Sequence, residues 1–233
     1  MPSFSLLTSQ TRELLLSNTH DHSELSISMI SASFDIFRKS ALTLRLIDIN
    51  NENNSKHENH KNSLINEKQI IEAYQKLYSN INQKTTLIHR DLQSKNIFYY
   101  QQQPYVIDYQ DLCLGPWLYD LASLIYDQNA QLNPVERIRL LKIFWLHYGK
   151  QVESDWDKFM VSLRKTALIR NMHGIGRHGT IYFTRDRKDS LNRIKRGLNM
   201  LLQLQQELVD QKLNLFSVLS INDLINRINQ IPL

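Results

Sequence analysis

Between Thr85 and Asp108 the helical spacing of the chain gives way to short β-type runs, and this interruption limits the folds available. Thr85 to His89 is a β-branched run leading into Arg90-Asp91-Leu92-Gln93-Ser94-Lys95-Asn96. Asn96 to Tyr100 and Tyr105 to Asp108 then bracket Gln101-Gln102-Gln103-Pro104, which reads as a hairpin. On either side the signals are helical. Leu25 to Ile49 reads as helix more than strand, although Leu42-Thr43-Leu44-Arg45-Leu46 alternates. Glu67 to Tyr78 carries Ile70, Ile71, Tyr74, Leu77 and Tyr78 on one side. Beyond Asp120 every signal is helical. Asn133-Pro134 offers an N-cap followed by proline at the first helical position, and Gly149 closes that helix. Ser154 with Asp157 resembles a capping box opening a helix to about Met172. Leu191 to Leu213 and Ser220 to Ile231 supply two more. The expected class is α+β, mainly α, with a small hairpin at one edge.

Composition excludes several function classes. Lys and Arg total 28 against 23 Asp and Glu, a net charge of +5, and no run of five consecutive basic residues offers a nucleic-acid arm. A mild basic surplus suits a solvated surface, or an anionic ligand such as a nucleotide. No window of about 18 apolar residues exists to span a membrane. Cys113 is the only cysteine, which rules out an intrachain disulfide and suits a reducing compartment. Met1 to Leu7 lacks the charged start and apolar core of a signal peptide, so a cytoplasmic protein is expected. Asn50 to Ser63 contains no apolar residue and reads as a solvated loop, its His57 and His60 as surface histidines.

The interrupted segment carries the chemistry. Phosphoryl transfer asks little covalent help of a protein: an oriented acceptor hydroxyl, phosphate charge neutralised by metal, and parts held in line. A carboxylate near the acceptor orients it and takes its proton, and oxygen donors hold Mg²⁺, a hard ion. Asp91 supplies the first, Asn96 an amide five residues on, and Asp108 a second carboxylate after the hairpin. His89-Arg90-Asp91-Leu92 and Asn96 fill every specified position of H-R-D-L-x-x-x-N. Singly, each of these residues is more often a turn, a cap or a structural group. Together, in strand–loop–hairpin order, they point to a kinase-type site, with His89 a brace of the loop.

These residues, with Gly115-Pro116-Trp117-Leu118-Tyr119-Asp120-Leu121-Ala122-Ser123-Leu124, resemble the aminoglycoside phosphotransferase and choline kinase group more than protein kinases. Gln110 stands where a protein kinase has glycine, and no Ala-Pro-Glu follows. The resemblance implies a kinase-like large lobe over 64–233 within one domain of 1–233, preceded by a helical segment at 1–49 and the loop at 50–63. It implies Mg²⁺ and ATP, with Asp91 as base, Asn96 and Asp108 on nucleotide and metal, and Asp120 anchoring the catalytic loop from below. Ile107-Asp108-Tyr109-Gln110-Asp111 looks most like bacterial amino-sugar kinases, which phosphorylate the anomeric hydroxyl of N-acetylmuramate or N-acetylglucosamine in cell-wall recycling. An amino-sugar acceptor is therefore expected, with Arg170, Arg177 and His178 as its possible contacts.

Members of that group carry a small lobe of strands before the catalytic loop. Here all six glycines lie at or after position 115, so no glycine-rich nucleotide loop precedes His89, and Lys39 and Arg45 read as helix-surface cations. The small lobe is expected to be absent or vestigial, and a separate polypeptide to supply it. The alternative is a truncated, catalytically silent lobe acting as a binding or partner subunit. Gly174-Ile175-Gly176-Arg177-His178-Gly179 spells a dinucleotide signature but follows helical spacing, and reads as a flexible turn between helices. Trp117, Trp145 and Trp156, among apolar neighbours, read as core, and Cys113 as a buried small residue.

Overall fold

Helix-forming sequence fills the part of the chain beyond Leu118, and the described residues there are mainly helical. The computed structural model describes residues 72–77, 81, 84–130, 132–185, 187, 189–209 and 221–230. The expectations for Leu25 to Ile49, the loop at 50–63 and a vestigial small lobe lie outside these residues. Of the helix expected from Glu67 to Tyr78, residues 72–77 are described and helical, with Ala73, Tyr74 and Leu77 buried.

Among the described residues four short strands form two antiparallel pairs. β1 (Thr85–Ile88) pairs with β4 (Cys113–Pro116), Thr85 opposite Pro116 and Ile88 opposite Cys113. β2 (Ile97–Tyr100) pairs with β3 (Gln103–Val106). The hairpin turn is tighter than the four residues expected. Only Gln101 and Gln102 are outside the strands, with φ of 46° and 58°, because positive φ at both central positions matches the right-handed twist of the strands. Pro104 sits in the ladder opposite Tyr99, on a two-stranded sheet where a missing N–H is tolerated. β4 had no distinct sequence signal. Gly115 lies in it because a side chain there would collide with Ile88 Cδ1. Cys113, expected to be buried, is half-buried in β4.

Among the described residues five helices follow: α1 (Tyr119–Ile125), α2 (Pro134–His147), α3 (Trp156–Arg185), α4 (Asp189–Glu207) and α5 (Ile221–Gln230). α2 opens on a complete capping box. Asn133 Oδ1 accepts from the Val135 and Glu136 amides at 2.9 and 3.0 Å, and Glu136 Oε2 accepts from the Asn133 amide at 2.9 Å. The cap of α3 is Asp155 rather than Ser154. Its Oδ1 accepts from the amides of Asp157 and Lys158 at 2.9 and 3.1 Å.

α3 also corrects the turn expected at Gly174 to Gly179, because the helix runs unbroken through all three glycines. Each glycine costs about 1 kcal/mol relative to alanine in a helix interior. Burial along the helix offsets that cost: Leu163, Ala167 and Leu168 of α3 are wholly buried, and Met172 and Ile175 nearly so. α4 lies against this face with Leu191, Ile194, Leu198, Leu201 and Leu204, a stripe at helical spacing. Gly197 allows the approach, since a Cβ there would lie 2.5 Å from Ile175 Cγ1. At the other end of α3, Phe159 is fully buried, with the rings of Trp117, Phe144 and Trp156 centred 5.9, 6.3 and 5.6 Å away. The three tryptophans are partly buried and pack against the core.

Candidate active site

The loop between β1 and β2 contains Arg90 at φ 70°, a left-handed conformation unusual for a side-chain-bearing residue, so surrounding contacts must hold it. Two carboxylates beside α1 do so. Asp120, in the first turn, accepts from the His89 amide at 2.5 Å and the Arg90 amide at 3.1 Å. Burial raises its pKa, and the two amide donors offset only part of that rise. Asp127, just past the helix, takes the other end of the loop. Its Oδ2 accepts from the amide and hydroxyl of Ser94 at 2.8 and 2.5 Å, and its Oδ1 from the amide and side chain of Asn129 at 2.9 and 3.1 Å. The sequence reading missed Asp127. A signal was present: Tyr119-Asp120 recurs as Tyr126-Asp127 seven residues on, about two helical turns, which brings both carboxylates to one side.

The loop held in this way presents Asp91. Oδ1 accepts from Arg170 Nη2 at 3.0 Å and from Gln93 Nε2, while Oδ2 faces Lys95 Nζ at 3.3 Å and Asn96 Nδ2 at 3.4 Å. Burial works to raise the Asp91 pKa, but the charges of Lys95 and Arg170 outweigh it and leave the carboxyl below its usual range. Arg170, read from sequence as a possible substrate contact, is spent here: besides the ion pair, its Nε donates to Ser123 Oγ at 3.0 Å.

Asn96 is buried and its Nδ2 donates to the Asp91 carbonyl at 2.8 Å, so its Oδ1 is the atom available to a cation. Asp108, exposed after the hairpin, has φ 68° and accepts from Gln110 Nε2 at 3.1 Å. Ile107 links the segments: its amide donates to the Asn96 carbonyl at 3.0 Å, and its carbonyl bonds His89 Nε2 at 2.9 Å. Thus His89, Asn96 and the backbone just ahead of Asp108 form one hydrogen-bonded unit. Among the described residues no cluster of three or more His, Cys, Asp or Glu could hold a metal unaided. The donor set nonetheless fits Mg²⁺, which commonly takes one carboxylate, a neutral oxygen and the oxygens of a phosphate substrate.

A cleft adjoins this loop, lined in part by Gln93, Ser123, Asp127, Arg170, Gly174 and His178. Of the three possible substrate contacts, Arg170 and His178 line it and Arg177 does not; Arg177 is exposed on α3. Burial and neighbouring arginines lower the pKa of both His173 and His178 to about 4, and the Nδ1 of each is buried without a partner. Both stay neutral while their unfolded counterparts charge near pH 6.5. The unfolded chain therefore binds more protons, and stability should fall as pH drops from about 6.5 to about 4. In urea titrations across that range, His173→Gln should flatten the profile relative to wild type. An unchanged profile would remove His173 as the cause.

A loop carrying one carboxylate, braced from below, with an amide ahead of a hairpin and a second carboxylate beyond it, is an arrangement suited to a phosphotransferase. The profile of the phosphotransferase enzyme family (APH) matches residues 31–159, more than half of the chain, and the protein belongs to that family. The chain is also similar to the N-acetylmuramate/N-acetylglucosamine kinase of Neisseria meningitidis serogroup B, with 28% identity over 128 residues. That match covers 53% of this chain and 38% of the length of the relative. Among the described residues, no helix is long and apolar enough to cross a membrane.

Proposed function

We propose that the chain transfers the terminal phosphoryl group of ATP to a hydroxyl of a small acceptor, and that the acceptor is an amino sugar. The observation that carries the transfer chemistry is the bracing of the Asp91 loop by Asp120 and Asp127, with Asn96 bonded to Asp91 and Ile107 tying Asp108 alongside. The amino sugar is supported by the relative's specificity and by a cleft rich in neutral hydrogen-bonding groups beside Asp91.

In this reading Asp91 stays ionised at neutral pH and orients the acceptor O–H. All four lone-pair directions of its carboxylate already face donors, so the hydroxyl must displace one. Two of these donors, Gln93 and Arg170, line the cleft; Gln93 carries no charge and is the easier to displace, so the acceptor enters by replacing it. A weakly basic carboxylate suffices because the transition state is loose and the hydroxyl loses its proton late, to an Asp91 oxygen. Asn96 Oδ1 and Asp108 would hold Mg²⁺, which when bound neutralises charge on the transferring phosphate. The exposed side chains of Phe98, Tyr99, Tyr100 and Tyr105 on the hairpin suit cover by a small lobe, from this chain or a separate polypeptide.

The test is Mg²⁺-dependent ATP turnover with N-acetylglucosamine or N-acetylmuramate as acceptor. Asp108→Asn should raise the Mg²⁺ concentration needed for half-maximal rate by at least about tenfold, as expected for losing a charged ligand. An unchanged metal requirement would separate Asp108 from the metal. Acceptor binding without turnover by the wild-type chain would favour a silent binding subunit.

A further inference from the structure

Several groups in the cleft beside Asp91 are already committed. The Asp127 carboxylate takes four hydrogen bonds, and Arg170 serves Asp91 and Ser123. Gln128 Nε2 donates to Asn171 Oδ1 at 3.1 Å, and Asn171 Nδ2 to the Ala167 carbonyl at 2.9 Å. Arg193, from the second turn of α4, also lines the cleft, and its situation differs. Its ion pair is with Asp189, at 3.9 Å, and the Asp189 carboxylate is already gripped by Arg187 through two bonds of 3.1 and 3.0 Å. A guanidinium has five donors in a planar fork suited to a carboxylate, and among the described residues the acid paired with this half-buried one, Asp189, is shared with Arg187.

Charge around the cleft points the same way. His178 beside Arg193 is uncharged at neutral pH, and the cations Arg193, Arg177 and Lys95 act on it against Asp189. An anion entering here meets one loosely engaged arginine, while the Asp127 carboxylate in the same lining is already taken up by four donors. Gly174 leaves room: a Cβ there would meet only Arg170 Nη1, at 3.8 Å.

We propose that Arg193 binds a carboxylate substituent of the acceptor, so that the lobe selects acidic amino sugars over the same sugars without the acid. This rests on the amino-sugar reading above and deepens it. A single loosely paired arginine suits a monoanionic carboxylate better than a dianionic phosphate. The hydroxyl end of the acceptor would meet Asp91 while the acid end meets Arg193, two attachment points that fix its orientation.

Calorimetric titration of the full chain at low salt, with N-acetylmuramate and N-acetylglucosamine as probes, tests the assignment without requiring turnover. Wild type should bind the acidic sugar about tenfold more tightly, one charge-assisted contact discounted for partial exposure. Arg193→Gln should erase that preference and leave the neutral sugar unchanged. Gly174→Leu, built into open space on a helix, should weaken both sugars while circular dichroism stays that of wild type. Retention of the acid preference in Arg193→Gln, or equal weakening of both sugars by it, overturns the role of Arg193 and leaves the amino-sugar reading standing. Failure of both sugars to bind wild type overturns the amino-sugar reading and this inference with it.

Discussion

Asp91→Ala should lower phosphoryl transfer by about 10²–10⁴-fold, the usual worth of a positioned acid–base group, while leaving the protein folded. Asp91 is held from four directions, and its replacement leaves Arg170 and Lys95 without their shared partner. That rearrangement is local, because Asp120 and Asp127 brace the loop through its amides and Ser94, not through the Asp91 side chain. Asp91→Asn gives the sharper comparison. The amide keeps an oxygen for the donors but cannot take the acceptor proton, so a loss matching Asp91→Ala assigns the effect to the carboxylate charge. A folded Asp91→Ala variant with near-wild-type turnover would falsify the assignment. Single-turnover measurements at saturating nucleotide would keep slow product release from hiding a change in the chemical step.

Phe159→Ala should cost about 3–5 kcal/mol of stability, the range for deleting a buried aromatic ring. Phe159 has no exposed surface and sits against Trp117, Phe144 and Trp156, joining the segment before α1 to α2 and α3. Gly149 shows how tightly the ring is enclosed, since a Cβ there would come within 3.4 Å of it. Neighbours so confined cannot collapse into the space, and the cavity persists. Against the roughly 5–15 kcal/mol that typically separates folded from unfolded domains, the loss is a large fraction. Urea unfolding should show a lower midpoint at unchanged slope. A change under about 1 kcal/mol would mean that the ring does not pack where the structure puts it.

Local chemistry was legible in the sequence. The Asn133-Pro134 cap, the helix read from Leu191 to Leu213, of which the described part is helical to Glu207, and the hairpin after Asn96 are short-range patterns, and each element is present. The order Asp91, Asn96, Asp108 was legible for the same reason, since loop and hairpin place those residues over a short stretch of chain. Misreadings came where neighbours at long separation decide. Three glycines between Gly174 and Gly179 signal a turn locally, yet the packing of α3 against α4 keeps them helical. β4 exists because β1 lies beside it, and nothing within Cys113–Pro116 announces that. The partners of Asp91 divide along the same line. Gln93, Lys95 and Asn96 are near in sequence, whereas Arg170 reaches it from α3, 79 residues away. The sequence alone determined the order of the side chains proposed to carry the chemistry and the short-range frame around them. Tertiary structure decided which charges surround them, because charge interaction depends on distance and burial, and only packing α1, α3 and α4 together sets those.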